Sequence, residues 1–218
     1  MSVSLAQDAK EVLKYIDSYW DRIIHKPEDS RGDAHIIPLP YTFIATNDNR
    51  NQWKDSMFYW DTFFILRGLV DTKRDWVIPE IVENFVYLFK EFGIIPNATL
   101  WAMLDHSQPP FFSSMIFDGY YAIKREEHDK KINRDTYAKS WLSDHIKTVK
   151  DEYWNVWEDN ETFTHKIEKF GLSRYGDRDV GYALTSERES GWDFTTRFYN
   201  RANEFLPVDL NSFLHKYE

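Results

Sequence analysis

The sequence contains no cysteine and no long apolar run, and each absence excludes a class of protein. Without cysteine, the chain cannot form disulfide bonds, a thiolate metal site or a cysteine nucleophile. A membrane-spanning helix needs about 18 or more consecutive apolar residues, and the sequence has no such run. Residues 1–10 also lack the basic and apolar regions of a signal peptide. We therefore expect a cytoplasmic protein that does not enter a membrane.

Positive charge is scarce relative to negative charge. The chain has 27 lysines and arginines against 36 acidic residues, a net charge of −9. Nucleic acids and anionic membranes bind positively charged surfaces, so neither is an expected partner. The histidines follow no metal-ligand spacing, the glycines occur singly rather than in a phosphate-binding loop, and no serine lies in a Gly-x-Ser-x-Gly turn. No metal and no other cofactor is expected, which leaves neutral or small anionic ligands.

Aromatic residues are abundant, at 17% of the chain. Large rings dominate the packing energy of protein cores, and most of these residues are expected there. A second role is stacking against the C–H faces of sugar rings, which suits Trp and Tyr beside polar side chains in loops.

Apolar residues recur with helical spacing almost throughout the chain. Between Leu5 and Ile24 they follow the i, i+3, i+4 pattern, which predicts a helix with one buried stripe that ends before Pro27. Residues 28–56 carry turn formers without a period and predict a long loop. Further helices are predicted over residues 58–70, 74–92 with Gly93 as the cap, 107–126 with Ser107 as the N-cap, 134–157, 195–204 and 208–217. Residues 171–190 are predicted to be irregular, so the expected fold is all-α with six or seven helices.

Residues 189–198 read Glu-Ser-Gly-Trp-Asp-Phe-Thr-Thr-Arg-Phe. This string places Asp193 after a Gly-Trp turn, among aromatic rings and an arginine. A carboxyl group between Trp192 and Phe194 is partly desolvated, so its pKa rises and it can hold a proton near neutral pH. Such a group suits the general acid that cleaves a glycosidic bond. Asp193 is alternatively the N-cap of a helix over residues 195–204, and the two roles are compatible.

Five other segments with unusual polar residues occur in a fixed order along the chain. They are Phe-Tyr-Trp-Asp-Thr-Phe-Phe at 58–64, Ile-Pro-Asn at 95–97, Ser-Gln-Pro-Pro-Phe at 107–111, Gly-Leu-Ser-Arg-Tyr at 171–175 and Pro-Val-Asp-Leu-Asn at 207–211. Together with residues 189–198 they resemble the trehalase family, and they resemble as closely its relatives that cleave glucosylglycerate and mannosylglycerate. The resemblance covers residues 57–218.

The resemblance implies a toroid of paired helices, the (α/α)6 fold of glycosidases, with about half of the toroid present in this chain. It implies inverting hydrolysis of a small α-glucoside or α-mannoside at a central active site, with Asp193 as the general acid. It also implies a set of sugar-binding residues, which comprises Tyr59, Trp60, Asp61, Asn97, Gln108, Arg174, Trp192 and Arg197.

Several of these residues also have a local structural interpretation. Asp61 lies at the start of a predicted helix, where the helix dipole favours a carboxylate regardless of any ligand. Asn97 and Gln108 can both donate and accept hydrogen bonds, as hydroxyl recognition requires, but the same amides brace loops. The two arginines of the set either bind substrate oxygens or order the segment around the acid.

Three departures from the trehalase pattern bear on the substrate. Residues 51–55 read Asn-Gln-Trp-Lys-Asp where trehalases carry Pro-Gly-Gly-Arg-Phe, and His106 replaces an arginine before Ser-Gln-Pro-Pro. An Arg-Pro-x-Glu segment is absent after Gly-Leu-Ser-Arg-Tyr. Strict trehalose specificity is therefore not expected, and the run at 57–64 leans toward glycerate glycosides. The basic candidates to face a glycerate carboxylate are His106, Lys54 and Arg178.

The length of the chain bears on the second carboxylate. In the family, the base that activates water comes from a segment well beyond Pro-Val-Asp-Leu-Asn, and inversion needs it about 6.5–9.5 Å from the acid. Glu187 and Glu189 are too close in sequence to Asp193 to take that position. We expect residues 1–218 to be the N-terminal half of an (α/α)6 catalytic domain, which carries the acid without the base.

An open half-toroid would expose apolar faces, so association with the missing C-terminal half or self-association is expected. The alternative function is a non-catalytic carbohydrate-binding or assembly module. Such a module keeps the aromatic rings and Asp61 but needs no second carboxylate.

Overall fold

The computed structural model describes residues 2–46, 48, 55–126, 133–176 and 183–218. Within these ranges the chain forms seven α-helices. They are α1 (Ser2–Ile23), α2 (Tyr59–Leu69), α3 (Val77–Phe92), α4 (Phe112–Arg125), α5 (Arg134–Glu152), α6 (Ala183–Glu189) and α7 (Val208–Tyr217). A π-helical turn, Tyr153–Trp157, follows α5, and 3-10 turns lie at Pro27–Arg31, Trp101–Met103 and Ala202–Glu204. The prediction of an all-α fold is confirmed.

Two short antiparallel strand pairs fix the loops between helices. β1 (Ile24–His25) pairs with β2 (Phe43–Ile44), which folds the loop after α1 back onto the helical core. β3 (Lys166–Ile167) pairs with β4 (Leu172–Ser173) in a hairpin that precedes α6. Each strand has only two residues, so these pairs hold loops in place rather than form a separate layer.

Helix α3 supplies much of the hydrophobic core. Its apolar residues recur at helical spacing, so one face buries Ile78, Ile81, Val82 and Phe85 against α4 and α5. The helix ends as predicted at Gly93, whose φ of 71° is left-handed and whose N–H donates to the Phe89 carbonyl at 2.8 Å. The loop that leaves this cap carries the Ile-Pro-Asn string.

The predicted burial of α1 is wrong over most of its length. The apolar stripe exists, but Leu13 is 65% exposed, and Val12 and Ile16 are also exposed. Only the last turns, with Trp20 and Ile23, pack against the core. The periodicity therefore identified an apolar face correctly, but not what covers it. None of the helices in the described ranges is both long enough and apolar enough to cross a membrane.

Three local predictions near the polar strings are also wrong. Ser107 does not cap a helix, because α4 begins only at Phe112. The residue before a proline avoids helical geometry, so the two prolines delay the helix. Residues 195–204 form no α-helix, since Tyr199 and Asn200 have φ values of 51° and 59°, so Asp193 caps no helix there. Conversely, α6 lies within the stretch that was predicted to be irregular.

Helix α5 ends at a buried acid, Glu152. Its Oε1 accepts a hydrogen bond from the Tyr59 hydroxyl at 2.9 Å, and its other oxygen accepts one from Tyr217. These bonds join α2, α5 and α7. Burial raises the pKa of Glu152 to about 7, against the hydrogen bonds from the two tyrosines, which favour its charged form.

Candidate active site

A cavity of about 730 Å³ opens between the start of α2, the loops after α3 and the segment after α6. These elements carry the Trp-Asp, Asn, Gln and Gly-Trp-Asp strings that the sequence singles out. Of the nine sequence-predicted site residues, the five that line the cavity are Trp60, Asp61, Asn97, Gln108 and Asp193. The lining is completed by Thr46, Phe58, Leu100, Ala102, Met103, Arg188, Gly191 and Phe194.

Asp193 lies at the rim of the cavity on an unusual stretch of backbone. Its φ is 37° and that of Phe194 is 51°, in the left-handed region that most side chains avoid. The residue is exposed, yet the nearby protein partly desolvates its carboxyl and raises its pKa, while Arg188 and His106 oppose the rise. The outcome is a carboxyl group that holds its proton to a higher pH than a solvated aspartate does.

Asp61 supplies a second carboxyl group to the same cavity. It lies in the first turn of α2, where the helix dipole favours a negatively charged side chain. This stabilising role in the helix is compatible with a role in ligand binding. Burial raises its pKa, the charge of Asp193 raises it further, and a hydrogen bond from Gln108 lowers it. Because the charge of Asp193 disfavours charge on Asp61, the two carboxyl groups are unlike independent surface acids.

The two amides hold the cavity segments together. Gln108 accepts a hydrogen bond from the Trp60 N–H at 3.0 Å, and its amide donates to Asp61. Asn97 donates from Nδ2 to the carbonyls of Ser107 and Arg188, both at 3.1 Å. Both side chains are buried. They therefore brace loops, as their local interpretation predicts, while lining the cavity.

A glycine lets the acid-bearing segment lie directly against an indole ring. Gly191 has a φ of 70°, and a Cβ added there would lie 2.4 Å from the Trp60 ring. The next residue, Trp192, has its ring centroid 6.4 Å from that of Trp60. The Gly-Trp pair therefore packs the two segments in van der Waals contact beside Asp193.

The variant Gly191→Ala is expected to destabilise the chain by about 1–3 kcal/mol, because the added methyl group overpacks the ring of Trp60 and strains a left-handed residue. Urea unfolding monitored by tryptophan fluorescence measures the change. Gly32→Ala is the matched control, since Gly32 has a φ of −84° and open space where an added Cβ would lie. Equal losses of stability in the two variants would contradict the close packing at Gly191.

Trp192 and Arg197 form a cluster beside the cavity rather than within its lining. The Trp192 indole N–H donates to Asp209 Oδ2 at 3.0 Å, and Arg197 forms an ion pair with Asp209 Oδ1 at 3.1 Å. The Arg197 guanidinium lies 4.4 Å from the centroid of the indole ring. The arginine and Asp209, from the Pro-Val-Asp-Leu-Asn string, thus fix the orientation of the exposed ring.

Two predicted site residues lie away from the cavity. Tyr59 is 0% exposed and its hydroxyl is directed to Glu152 in the core. Arg174 donates hydrogen bonds to the carbonyls of Thr164 and Asn203, at 3.1 and 2.9 Å, and so ties the hairpin to the segment before α7. The structure gives both residues partners inside the protein.

Arg188 is a cavity residue that the sequence reasoning missed, and Phe194, which the sequence singled out only as a neighbour of Asp193, also lines the cavity. Arg188 is exposed, its charge acts on Asp193, and its guanidinium lies 5.8 Å from the Phe194 ring centroid. Arg188 lies at the cavity because it belongs to the last turn of α6, a helix that the sequence does not predict. Its position directly before the Glu-Ser-Gly-Trp-Asp string was the available signal.

Glu189 anchors the acid-bearing segment from beneath. Its carboxylate accepts hydrogen bonds from the backbone N–H of Ser107 at 3.1 Å and of Gly176 at 2.7 Å, and His165 Nε2 lies 2.9 Å away. His165 Nδ1 lies 2.6 Å from the Val156 carbonyl. Both ring nitrogens therefore face acceptors, which requires a doubly protonated ring. Burial disfavours this charge, but Glu189, the Val156 carbonyl and Asp159 together outweigh burial and raise the pKa of His165.

The remaining residues singled out in the sequence have varied positions. Glu187 and Glu189 are both fully buried and neither lines the cavity. His106 is buried with Nδ1 2.6 Å from Asp105 Oδ1, close enough to Asp193 to act on its charge. Lys54 and Arg178 lie outside the described residues.

The helices match part of the (α/α)6 fold of glycosidases. The trehalase family model matches residues 1–218, so the chain belongs to the trehalase family, and the match includes the first 56 residues that the motif comparison left out. The fold is similar to that of neutral trehalase Nth1 from Saccharomyces cerevisiae, with a TM-score of 0.68 and 21% sequence identity. The match covers 81% of this chain and 38% of that chain.

Proposed function

We propose that this chain supplies the acid half of an inverting glycosidase site for a small α-glucoside or α-mannoside. The observation that carries the proposal is the cavity in which Asp193 and Asp61, both with raised pKa values, lie beside Trp60 and the amide of Gln108. A carboxyl that retains its proton can protonate a leaving glycosidic oxygen. The aromatic ring and the amide offer a stacking surface and hydrogen-bond donors for a sugar.

In the proposed mechanism Asp193 donates its proton to the oxygen between the two sugars as that bond breaks. Asp61, which already accepts from Gln108, accepts from ring hydroxyls of the bound sugar. Arg188 lowers the cost of the carboxylate that Asp193 becomes after proton transfer, since its charge favours the ionised form. Trp192, held by Arg197 and Asp209, covers the sugar at the rim.

The base that activates water is proposed to lie on polypeptide beyond these 218 residues. Inversion requires a carboxylate across the sugar from the acid, about 6.5–9.5 Å away. Among the described lining residues the acids are Asp61 and Asp193, and Asp61 is engaged by Gln108. We therefore treat residues 1–218 as the N-terminal half of the catalytic domain, in keeping with the 38% of Nth1 that the match covers.

Exposed apolar side chains support an association with the remaining half of the domain. Trp154 is 63% exposed, and Phe117 and Ile146 are also exposed around a second, mostly apolar cavity between α4 and α5. Helix α1 exposes an apolar stripe of its own. Soluble monomers rarely leave such contiguous patches uncovered.

The rival function, a carbohydrate-binding or assembly module without catalysis, is favoured by one observation. Asp61, one of the two lining carboxyls, is bonded to Gln108, which also accepts from the Trp60 N–H, and this arrangement suits recognition of hydroxyls as well as it suits catalysis. The two functions differ in whether a bond is cleaved.

The proposal is tested by incubating trehalose, glucosylglycerate and mannosylglycerate with the chain alone and with the C-terminal half of a trehalase-family domain supplied as a second polypeptide. We expect hydrolysis only in the two-part mixture, and proton NMR should detect the β-anomer as the first product, since inversion of an α-glycoside releases it. Full activity of the chain alone would contradict the assignment of the base. Sugar binding without cleavage in either form would favour the module.

A further inference from the structure

Tyr59 connects the cavity to the protein core through one hydroxyl group. The residue is fully buried and begins α2, directly before Trp60. Its hydroxyl donates to Glu152 Oε1 at 2.9 Å and accepts from the backbone N–H of Phe112 at 2.9 Å. Phe112 begins α4, four residues after Gln108. A single hydroxyl thus joins the two segments that carry Trp60, Asp61 and Gln108.

The same two segments are joined a second time at the cavity. There the Trp60 N–H donates to Gln108 Oε1 at 3.0 Å, and the Gln108 amide donates to Asp61. The Tyr59 N–H donates to the Asn97 carbonyl at 3.0 Å, which attaches the third cavity segment. The spacing of the cavity walls therefore depends on two layers of hydrogen bonds, one lining the cavity and one beneath it.

Glu152 decides which way the Tyr59 hydroxyl points. The phenol oxygen of Tyr59 carries one proton, which it donates in a hydrogen bond to the Glu152 carboxylate. A lone pair of the same oxygen therefore faces the Phe112 N–H and accepts from it. Without that acceptor the hydroxyl proton is free to rotate, and the Phe112 N–H loses a fixed partner. Glu152 has a second donor, Tyr217, which reaches it from α7. The Tyr217 hydroxyl also accepts a hydrogen bond from the backbone N–H of Ser113 in α4, but within the described residues no hydrogen bond joins it to Trp60, Asp61 or Gln108.

Burying a carboxyl group among neutral hydroxyls is unfavourable compared with burying an apolar side chain. A role in setting geometry accounts for such a group better than a role in stability does. We propose that Glu152 and Tyr59 are positioning residues, which fix the spacing between the first turn of α2 and the 107–112 segment and so the arrangement of Asp61 and Gln108. This inference rests on the proposed function only in taking the cavity as the sugar site.

The test compares Tyr59→Phe with Tyr217→Phe, two variants that each remove one hydroxyl from the same carboxylate. Amide hydrogen exchange by NMR reports on the Phe112 and Trp60 N–H groups, and titration with trehalose reports on affinity. In Tyr59→Phe we expect faster exchange at both amides and an affinity lower by about tenfold, the size of one hydrogen bond. In Tyr217→Phe we expect unchanged exchange at Trp60 and unchanged affinity, although thermal stability falls.

Two variants of the acid complete the series. Glu152→Gln keeps an oxygen that accepts from Tyr59 and is expected to retain affinity, whereas Glu152→Leu is expected to behave like Tyr59→Phe. The proposal is overturned if Tyr59→Phe changes exchange at Phe112 alone and leaves Trp60 and affinity untouched. It is also overturned if the two tyrosine variants lose affinity equally. If the wild-type chain binds no sugar, the proposed function fails, while the exchange data still decide the positioning role.

Discussion

Replacing Asp193 by asparagine is expected to lower kcat/KM for a natural α-glycoside by about 10²–10⁴-fold, the usual contribution of a general acid. Asparagine matches the carboxyl group in size but has no proton to transfer to the leaving oxygen. It is also well tolerated in left-handed backbone, and Asp193 has a φ of 37°. The loss should therefore reflect chemistry rather than misfolding. The assay uses the chain together with the C-terminal half.

The leaving group distinguishes an acid from a binding residue. An α-glycosyl fluoride leaves as fluoride and needs little protonation, so Asp193→Asn should lose far less activity on it than on a disaccharide. Asp144→Asn, an exposed change on α5, serves as the control and should retain activity on both substrates. An equal loss on fluoride and disaccharide would assign Asp193 to binding rather than to proton transfer.

The sequence predicts those site residues that belong to short polar strings and whose side chains face the cavity. Trp60 and Asp61 line the cavity, as expected, but Tyr59 does not. Successive residues of an α-helix differ by about 100° in direction, so three neighbours cannot all face one cavity. The string alone does not say which of the three faces the core. The partner of Tyr59, Glu152, is 93 residues away, so that contact needed the fold.

Backbone conformation limited the other predictions. Residues 195–204 have an unremarkable composition for a helix, but Tyr199 and Asn200 take left-handed φ values that no α-helix accommodates. Arg188 lines the cavity because α6 turns it there. Periodicity did not reveal α6, which has only seven residues, too few for a clear repeat. In each case tertiary contacts, rather than local propensity, selected the structure.

Replacing Glu189 by glutamine is expected to destabilise the chain by about 3–5 kcal/mol, the cost of removing one partner from a buried ion pair. Both carboxylate oxygens accept hydrogen bonds, from Ser107 on one side and from Gly176 and His165 on the other. A glutamine amide presents its NH₂ to one of these sides, where only N–H donors point. Neither orientation satisfies the site, so the loss should be large although the substitution is nearly isosteric.

The loss should also depend on pH in a definite direction. The pKa of His165 is raised in the folded protein from its ordinary value of 6.5, so the stability from its charge is fully present below that value. It disappears as the pH rises through the folded pKa. The difference between wild type and Glu189→Gln, measured by urea unfolding, should therefore be larger at about pH 6 than at about pH 9. Glu161→Gln, an exposed change nearby, should alter stability little at either pH.

A double-mutant cycle separates the ion pair from the backbone hydrogen bonds of the same carboxylate. If the charge on His165 contributes as the geometry indicates, Glu189→Gln combined with His165→Gln should cost less than the sum of the single changes. Additive losses that do not vary with pH would assign the effect to the Ser107 and Gly176 bonds instead. In that case Glu189 would still anchor the segment that presents Asp193, but through the backbone alone, and His165 would be neutral.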